Sequence, residues 1–374
     1  MTPETSSQKG LGLERQVSRL RGRAISILEQ AVANRVFPGA CFALTRGSEI
    51  LITGCAGRFT YQGDSPEVLP RTVFDLASVT KVVATTSMAM MLYDRGKLDL
   101  GHKVGDLIPE FGAADAGDTR RRQITLRMLL AHASGLPAYA RLFEKAQSRE
   151  ALLEAIYSTP LEADPDTRAE YSDIGFILLG EALSRIAGEP LNEFCQREVF
   201  APLGMDNTAY LPPASWKFRI PPTVDDRTFR KCVVQGEVND ENASVLGGVS
   251  AHAGVFSNVK DVSKFALCIL GYGPQLFRRE TVQFFATRQS IPAHTSRALG
   301  WDTPSAPSQS GQYFSGKCCG HLGYTGTSLW IDLEREISVT LLTNRTWPNA
   351  DNQTIKQLRP KFHDAIMEEL LKFQ

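Results

Sequence analysis

Ser78 and Lys81 are the residues whose types and spacing most directly suggest chemistry in this chain. They lie in Phe74-Asp75-Leu76-Ala77-Ser78-Val79-Thr80-Lys81, where an apolar extended lead-in gives way to a helical pattern over Val82 to Arg95. Three residues is about one helical turn, so both side chains leave the same face. A serine hydroxyl is a weak nucleophile at neutral pH and needs a base beside it. A lysine near a helix N-terminus, partly desolvated, has its pKa lowered toward that role. The pattern Ser-x-x-Lys is weak alone and occurs three times, at Ser6/Lys9, Ser78/Lys81 and Ser257/Lys260. Ser6 falls in a polar N-terminal tail. Ser257 reads as a helix cap with Lys260 in solvent. Only Ser78 opens a long apolar helix, and on this pattern alone a plain cap describes Ser78 equally well.

Two further stretches carry residues that would complete such a site. Tyr171-Ser172-Asp173 is the only Tyr-x-Asp or Tyr-x-Asn in the chain. A tyrosine beside a lysine can share its proton, act as general base and return the proton to a leaving amine. The bland alternative is that Tyr171 packs and Asp173 caps the helix starting at Ile174. The other stretch is Gly320-His321-Leu322-Gly323-Tyr324-Thr325-Gly326-Thr327, directly before a strong strand pair. Its glycines let a strand backbone approach a ligand closely. A backbone N–H from that edge, joined to the N–H of Ser78, would make an oxyanion hole, where one donor is typically worth ~3 kcal/mol in the transition state. His321 can hydrogen-bond an anionic substrate group or the nucleophile, although a lone histidine is more often structural.

The elements that must position these residues follow from periodicity. Leu11 to Asn34 reads as an amphipathic helix that Pro38-Gly39 breaks. Ala40 to Thr45 and Ile50 to Cys55 read as a hairpin, and Ser328 to Leu333 with Ile337 to Leu342 as a second strand pair. Thr125 is placed to cap a short helix before Gly135. Further helices are expected over Arg149 to Thr159, Ile174 to Ala187, Leu191 to Val199 and Asp261 to Leu270. Tyr210 to Val238 and Ser290 to Gly316 read as loops. Gln353 to Phe373 is a closing helix interrupted early by Pro360.

Strand signals thus sit near both chain ends and the middle is helical. The expectation is an α/β (α+β) fold: an antiparallel sheet assembled from both ends, flanked by terminal helices, with an inserted helical lobe. Residues 1–10 are expected as a disordered tail and 11–374 as one catalytic domain. Its sheet lobe would be 11–76 and 255–374, and its mostly helical lobe 77–254.

Composition bounds the function. The 374 residues are 43% hydrophobic, enough for a large core. Forty-one Lys and Arg balance forty-one Asp and Glu, so nothing favours nucleic acid or an anionic membrane. The longest apolar run, Val82 to Leu92, is too short to span a bilayer. No basic segment followed by an apolar one opens the chain, so no secretory signal is read and a cytoplasmic location is expected. The seven cysteines show no Cys-x-x-Cys pair and no metal spacing, so free thiols in a reducing environment are expected, with no metal and no organic cofactor. There is no Gly-x-Ser-x-Gly elbow, His-Glu-x-x-His, phosphate-binding loop or dinucleotide fingerprint.

The three elements, in this order, resemble the active-site motifs of the serine β-lactamase and penicillin-binding-protein superfamily, nearest its class C-like branch. The supporting text includes Leu-Leu-Ala-His-Ala-Ser-Gly-Leu-Pro at 129–137, Tyr-Ser-Asp-Ile-Gly-Phe-Ile-Leu-Leu-Gly at 171–180 and Pro-Leu-Gly-Met at 202–205. The resemblance implies Ser78 as acylated nucleophile, Lys81 and Tyr171 as proton-transfer pair, and His321 at the sheet edge. It implies the N–H groups of Ser78 and Tyr324 as oxyanion hole, and Asp173, Gly323 and Asn349 as substrate-binding residues. Asp173 stands where the branch usually has Asn. A carboxylate cannot donate an amide hydrogen bond, and beside Lys81 it would favour the charged lysine and shift the base role toward Tyr171. His321 replaces a lysine. Both changes count against efficient β-lactam hydrolysis. Gly236 to Ala243 with Leu246 to Phe256 is similar to a segment of exo-type N-acetylmuramoyl-L-alanine amidases, although Asp240, Glu241 and Asn242 also suit an ordinary polar loop. Thr343 to Asn349 is similar to a loop that helps recognise a substrate carboxylate, with Asn352 where an arginine is common. The implied function is a serine hydrolase acting through an acyl-enzyme on a small-molecule or muropeptide amide or ester. The alternatives are a carboxylesterase or weak β-lactamase of the same fold, and a penicillin- or muropeptide-binding sensor without turnover.

Overall fold

In the computed structural model, which describes residues 6–113 and 118–372 and side chains from residue 14 onward, the two chain ends meet in one antiparallel sheet. Gly39–Arg46 (β1) and Glu49–Gly57 (β2) form the N-terminal hairpin. Four short strands follow: Phe74–Asp75 (β3), Ala209–Tyr210 (β4), Val224–Asp226 (β5) and Cys232–Val234 (β6). Val255–Ser257 (β7), Cys318–Leu322 (β8), Ser328–Asp332 (β9) and Ile337–Thr343 (β10) complete the set. The large sheet runs β2-β1-β10-β9-β8, which leaves β8 as an edge.

β1 and β10 are central strands, and their near-continuous apolar runs reflect burial on both faces. Phe42, Leu44, Val339 and Leu341 point into a core built with Leu20, Ala24 and Leu28 of the N-terminal helix Ser6–Ala33 and Phe362 and Ile366 of the closing helix Ile355–Leu371. Cys41, Ala43, Leu329, Ile331 and Leu342 face a second, larger core shared with the helical part of the chain. The two terminal helices are joined by Arg23 Nη1 to Glu369 Oε1 at 2.8 Å.

Several local expectations change. The first helix begins at Ser6, not Leu11. Residues 1–5 of the expected tail, and the side chains of Ser6 and Lys9, lie outside the described residues. The closing helix runs unbroken through Pro360. The carbonyl of Lys356, which the missing Pro360 N–H cannot reach, accepts instead from Gln309 Nε2 at 3.0 Å. The β5–β6 hairpin lies in a stretch read as loop because its strands are only three residues each. The cap of the helix Val259–Ile269 is Asn258, whose side chain accepts from Asp261 N, while Ser257 belongs to β7. Thr125 caps Leu126–Leu130 as expected, accepting from Met128 N.

The cysteines are a correction. Cys41 and Cys55 sit opposite each other in the β1–β2 register and are joined as a disulfide, with Cα atoms 4.1 Å apart. Spacing of fourteen in sequence gave no hint, because strand register brings the pair together. Cys195, Cys232, Cys268, Cys318 and Cys319 are free, and of these only Cys232 is exposed. No helix among the described residues is long and apolar enough to cross a membrane, and no group of side chains among them has metal-ligand geometry.

Candidate active site

Ser78 is presented by a strained turn. β3 pairs with β7, and the extended lead-in ends when Leu76 N donates to Val255 O at 2.9 Å. Ala77 then takes φ +46°, a left-handed conformation that costs a residue with a Cβ roughly 1–2 kcal/mol. Asp75 compensates: its Oδ1 accepts from Ala77 N at 2.8 Å and its Oδ2 from Asn239 N at 2.6 Å. Burial pushes the Asp75 carboxyl up to about 6, against the pull of those two backbone donors. The chain continues as a 3₁₀ turn over Ala77–Val79, a wide π-helical turn over Lys81–Thr86 and an α-helix over Ser87–Asp94. The expected helix therefore exists, but its first turns are irregular, as is frequent at functional sites.

Lys81 is fully buried, and its ammonium position is defined by three acceptors. Nζ lies 3.0 Å from Ser78 Oγ, 2.6 Å from Asp173 Oδ1 and 3.1 Å from His252 O. Tyr171 Oη lies 2.7 Å from Ser78 Oγ. Four sequence-picked residues are thus brought into one connected chain: Tyr171, Ser78, Lys81, Asp173. Burial lowers the Lys81 pKa from the usual lysine range, with Asp173 pulling the other way. Burial raises Tyr171 well above the usual phenol range, and the Asp173 charge adds to that. Asp173 thus disfavours phenolate as well as neutral amine, and the expectation that it would move the base role toward Tyr171 does not fit these directions.

Tyr171 is held by a residue that the sequence singled out only as flanking text. His132 accepts from Glu170 N with its carbonyl at 2.8 Å and from Ser172 N with Nδ1 at 3.0 Å, so it brackets Tyr171 from both sides. Its ring packs 4.8 Å from the Tyr171 ring and 4.8 Å from Phe176. Ser172, not Asp173, is the side-chain cap of the helix Asp173–Ala187, accepting from Gly175 N. That frees the Asp173 carboxylate for Lys81.

The glycine-rich motif lies on the edge strand β8 and its turn into β9. Thr325 Oγ1 donates to Asp75 O and Thr327 Oγ1 to Leu76 O, both at 2.8 Å. These bonds stitch the turn to the segment that carries Ser78. A Cβ on Gly323 would come within 2.6 Å of Leu76 O, so only glycine permits this approach. Tyr324 follows, and its N–H makes no hydrogen bond among the described residues. Its carbonyl accepts from Arg345 Nε at 2.7 Å. The Tyr324 N–H is thus left free among the described residues, on a turn stitched to the segment that carries Ser78. His321 Nδ1 donates to Leu322 O at 2.8 Å, which leaves Nε2 as an acceptor; Nε2 is buried and has no partner among the described residues. Burial, then the nearby Lys81 charge, lowers its pKa well below the usual histidine range.

One cavity of about 1180 Å³ opens over these groups, lined among others by Ser78, Tyr171, Asp173, His321, Gly323 and Tyr324. Asn349 also lines it and is exposed. Asn352 instead donates to Arg35 O. Sequence reasoning did not place five contributors in the site. Asp240 pairs with His252 Nε2 at 2.8 Å, fixing the loop whose carbonyl meets Lys81. Arg297 lies 5.4 Å over the Tyr171 ring. Arg345 and Arg359 line the cavity and form no ion pair among the described residues. Arg297 and Arg359 lie outside any recognisable spacing and had no sequence signal, whereas Arg345 lies in the Thr343 to Asn349 stretch read as a carboxylate-recognition loop. His252 and Asp240 sat in stretches singled out for other reasons.

Comparison with known proteins shows the family. The Beta-lactamase family profile matches residues 24–361. An N-acetylmuramyl-L-alanine amidase of Bacillus subtilis (strain 168) is 33% identical, over 83% of this chain and 77% of that protein. A putative D-alanyl-D-alanine carboxypeptidase of Escherichia coli (strain K12) is 34% identical, over 75% of this chain and 71% of that protein. Among solved structures, EstCE1, a hydrolase with promiscuous acyltransferase activity, aligns with a TM-score of 0.76 at 22% identity, covering 94% of this chain and 99% of that one. A class C β-lactamase from Rhodobacter sphaeroides aligns with a TM-score of 0.71 at 20% identity, covering 93% of this chain and 99% of that one. These two share the fold. The chain belongs to the β-lactamase family and is a serine hydrolase.

Proposed function

We propose that this enzyme is an amidase that cleaves the bond between the lactyl group of an N-acetylmuramoyl sugar and its stem peptide, through an acyl-enzyme on Ser78. The observation that carries the proposal is the bonded chain Tyr171–Ser78–Lys81–Asp173 under a cavity large enough for a sugar-peptide. The similarity to an amidase named for N-acetylmuramyl-L-alanine supports the substrate.

In this mechanism the neutral amine of Lys81 takes the Ser78 proton as Oγ bonds to the carbonyl carbon. The carbonyl electron pair moves to oxygen, where the N–H groups of Ser78 and Tyr324 receive it. On collapse the C–N bond breaks. Tyr171 gives its proton to the leaving nitrogen, and the proton held by Lys81 restores the phenol. Water then enters, loses a proton to the same pair and releases Ser78. The opposite pKa directions of Lys81 and Tyr171 support amine as base and phenol as acid.

The test is intact-protein mass spectrometry with a fluorophosphonate, on wild type and Ser78→Ala, together with peptide release from N-acetylmuramoyl-L-alanyl peptides. Single labelling lost in Ser78→Ala, with many turnovers on the muramoyl-peptide, is the expected result. Labelling without muramoyl-peptide turnover would move the assignment elsewhere in the family. The similarity to putative D-alanyl-D-alanine carboxypeptidases supports a second reading, and release of D-alanine in preference to cleavage at the lactyl amide would establish it. A cross-strand disulfide suits an oxidising compartment, which weighs against the cytoplasmic location expected from the sequence.

A further inference from the structure

The atoms that face the cleft beside Ser78 have an unusual polarity. Asp173 spends Oδ1 on Lys81 and its carboxylate also bears on the Tyr171 hydroxyl, while its second oxygen keeps acceptor capacity for a ligand. The side chain keeps 15% of its surface exposed and lines the cavity. An ionised carboxylate can only accept. His321 lines the same cavity at 3% exposure. Its Nδ1–H is used on Leu322 O, so its free Nε2 is also an acceptor, buried and unpartnered among the described residues. A buried polar atom without a partner is costly, and a ligand that supplies the missing partner recovers that cost. The His321 ring lies 6.0 Å from the Tyr171 ring, and the Asp173 carboxylate shares Lys81 with Ser78.

We propose that Asp173 and His321 form a pair of acceptors that selects substrates presenting hydroxyl or N–H donors beside the scissile carbonyl, and rejects ligands that present a carboxylate or carbonyl there. The chemical class is a hydroxyl-rich sugar bearing the acyl group. This deepens the muramoyl-amide reading and rests on the site assigned there. A glycosyl hydroxyl or acetamido N–H donates to Asp173 Oδ2 or His321 Nε2 and satisfies it. The carboxylate of a penicillin set against the same two atoms meets only lone pairs, and near Asp173 it also meets like charge. An energetic preference of this kind is steep because a site built for a donor is left unpaired when the donor is missing.

The experiment reads binding without chemistry. Calorimetry on the Ser78→Ala protein compares three probes: N-acetylmuramoyl-L-alanine, the same compound with its sugar hydroxyls O-methylated and its acetamido nitrogen N-methylated, and benzylpenicillin. A hydrogen bond to a charged acceptor predicts about tenfold weaker binding of the methylated compound. In Ser78→Ala/Asp173→Asn that penalty falls to below about threefold and benzylpenicillin binds more tightly, because an amide can turn a donor toward either ligand. Ser78→Ala/His321→Phe, which keeps a ring but removes the acceptor, gives an independent second reading of the penalty. Equal binding of the methylated and unmethylated compounds, or an unchanged penalty in both double variants, would overturn the inference. So would absence of N-acetylmuramoyl-L-alanine binding in a protein whose wild type is labelled by the fluorophosphonate. Failure of that labelling is a separate result and strikes the assignment of Ser78 as nucleophile.

Discussion

Asp75→Asn should separate stability from catalysis. Asp75 is 2% exposed and holds two backbone donors, Ala77 N and Asn239 N. Its pKa rises from 3.8 to about 6 because burial disfavours its charge. At about 1.4 kcal/mol per unit, that shift makes the charged form about 3 kcal/mol less favourable in the folded state than in the unfolded chain. The sign is that of a raised folded-state pKa: the folded protein binds more protons between about pH 4 and pH 6. The Asp75 contribution is therefore largest below pH 4 and is lost as pH rises to 6. Asparagine carries no charge to bury, but it offers one acceptor where two are needed, leaving a buried N–H opposed by its own amide at a cost of about 1–3 kcal/mol. At pH 7.5 these effects offset each other and the variant should be nearly as stable as wild type. At pH 4 it should be less stable by about 2.4 kcal/mol relative to that pH 7.5 comparison. Urea unfolding of both proteins from pH 4 to 7.5 measures the difference, and the contributions of other carboxylates cancel in the subtraction. Fluorophosphonate labelling at pH 7.5 should meanwhile slow at least tenfold, because the lost bond releases the Ala77 turn that aims Ser78. A stability difference that stays flat across this range would refute the argument that Asp75 is buried as a raised-pKa carboxylate. Unchanged labelling would refute its role in aiming the serine.

Three other outcomes follow from the same geometry. Asp173→Asn keeps an acceptor for Lys81 but removes the negative charge that holds the Lys81 pKa up, so the acid limb of the pH profile for Ser78 acylation should move to lower pH; a limb that stays in place or moves up would contradict Lys81 as the base. Thr327→Val removes the donor to Leu76 O, which should cost about 1–3 kcal/mol in urea unfolding and slow acylation by loosening the Tyr324 turn against Ser78; full activity with lost stability would confine Thr327 to a structural role. Thiol titration in denaturant should find five cysteines without reductant and seven after reduction, and seven in both states would dispose of the Cys41–Cys55 bond.

Some of this protein was legible in its sequence because local chemistry leaves local marks. Ser78 and Lys81 are one helical turn apart, so their meeting needs only a helix to begin there. The strands near both chain ends show as apolar runs, and the helix starting at Asp173 shows in its periodicity. The order of the Ser78, Tyr171 and His321 motifs pointed to the family because each stands among flanking residues that its fold requires. Tertiary structure decided the rest. The three acceptors of Lys81 come from positions 78, 173 and 252, and no spacing relates them. The Cys41–Cys55 pair is created by strand register, which sequence separation does not encode. How Asp173 bears on Lys81 and Tyr171 depended on how much of each group is buried, and burial is a property of the packed fold: it lowers the Lys81 pKa and raises that of Tyr171.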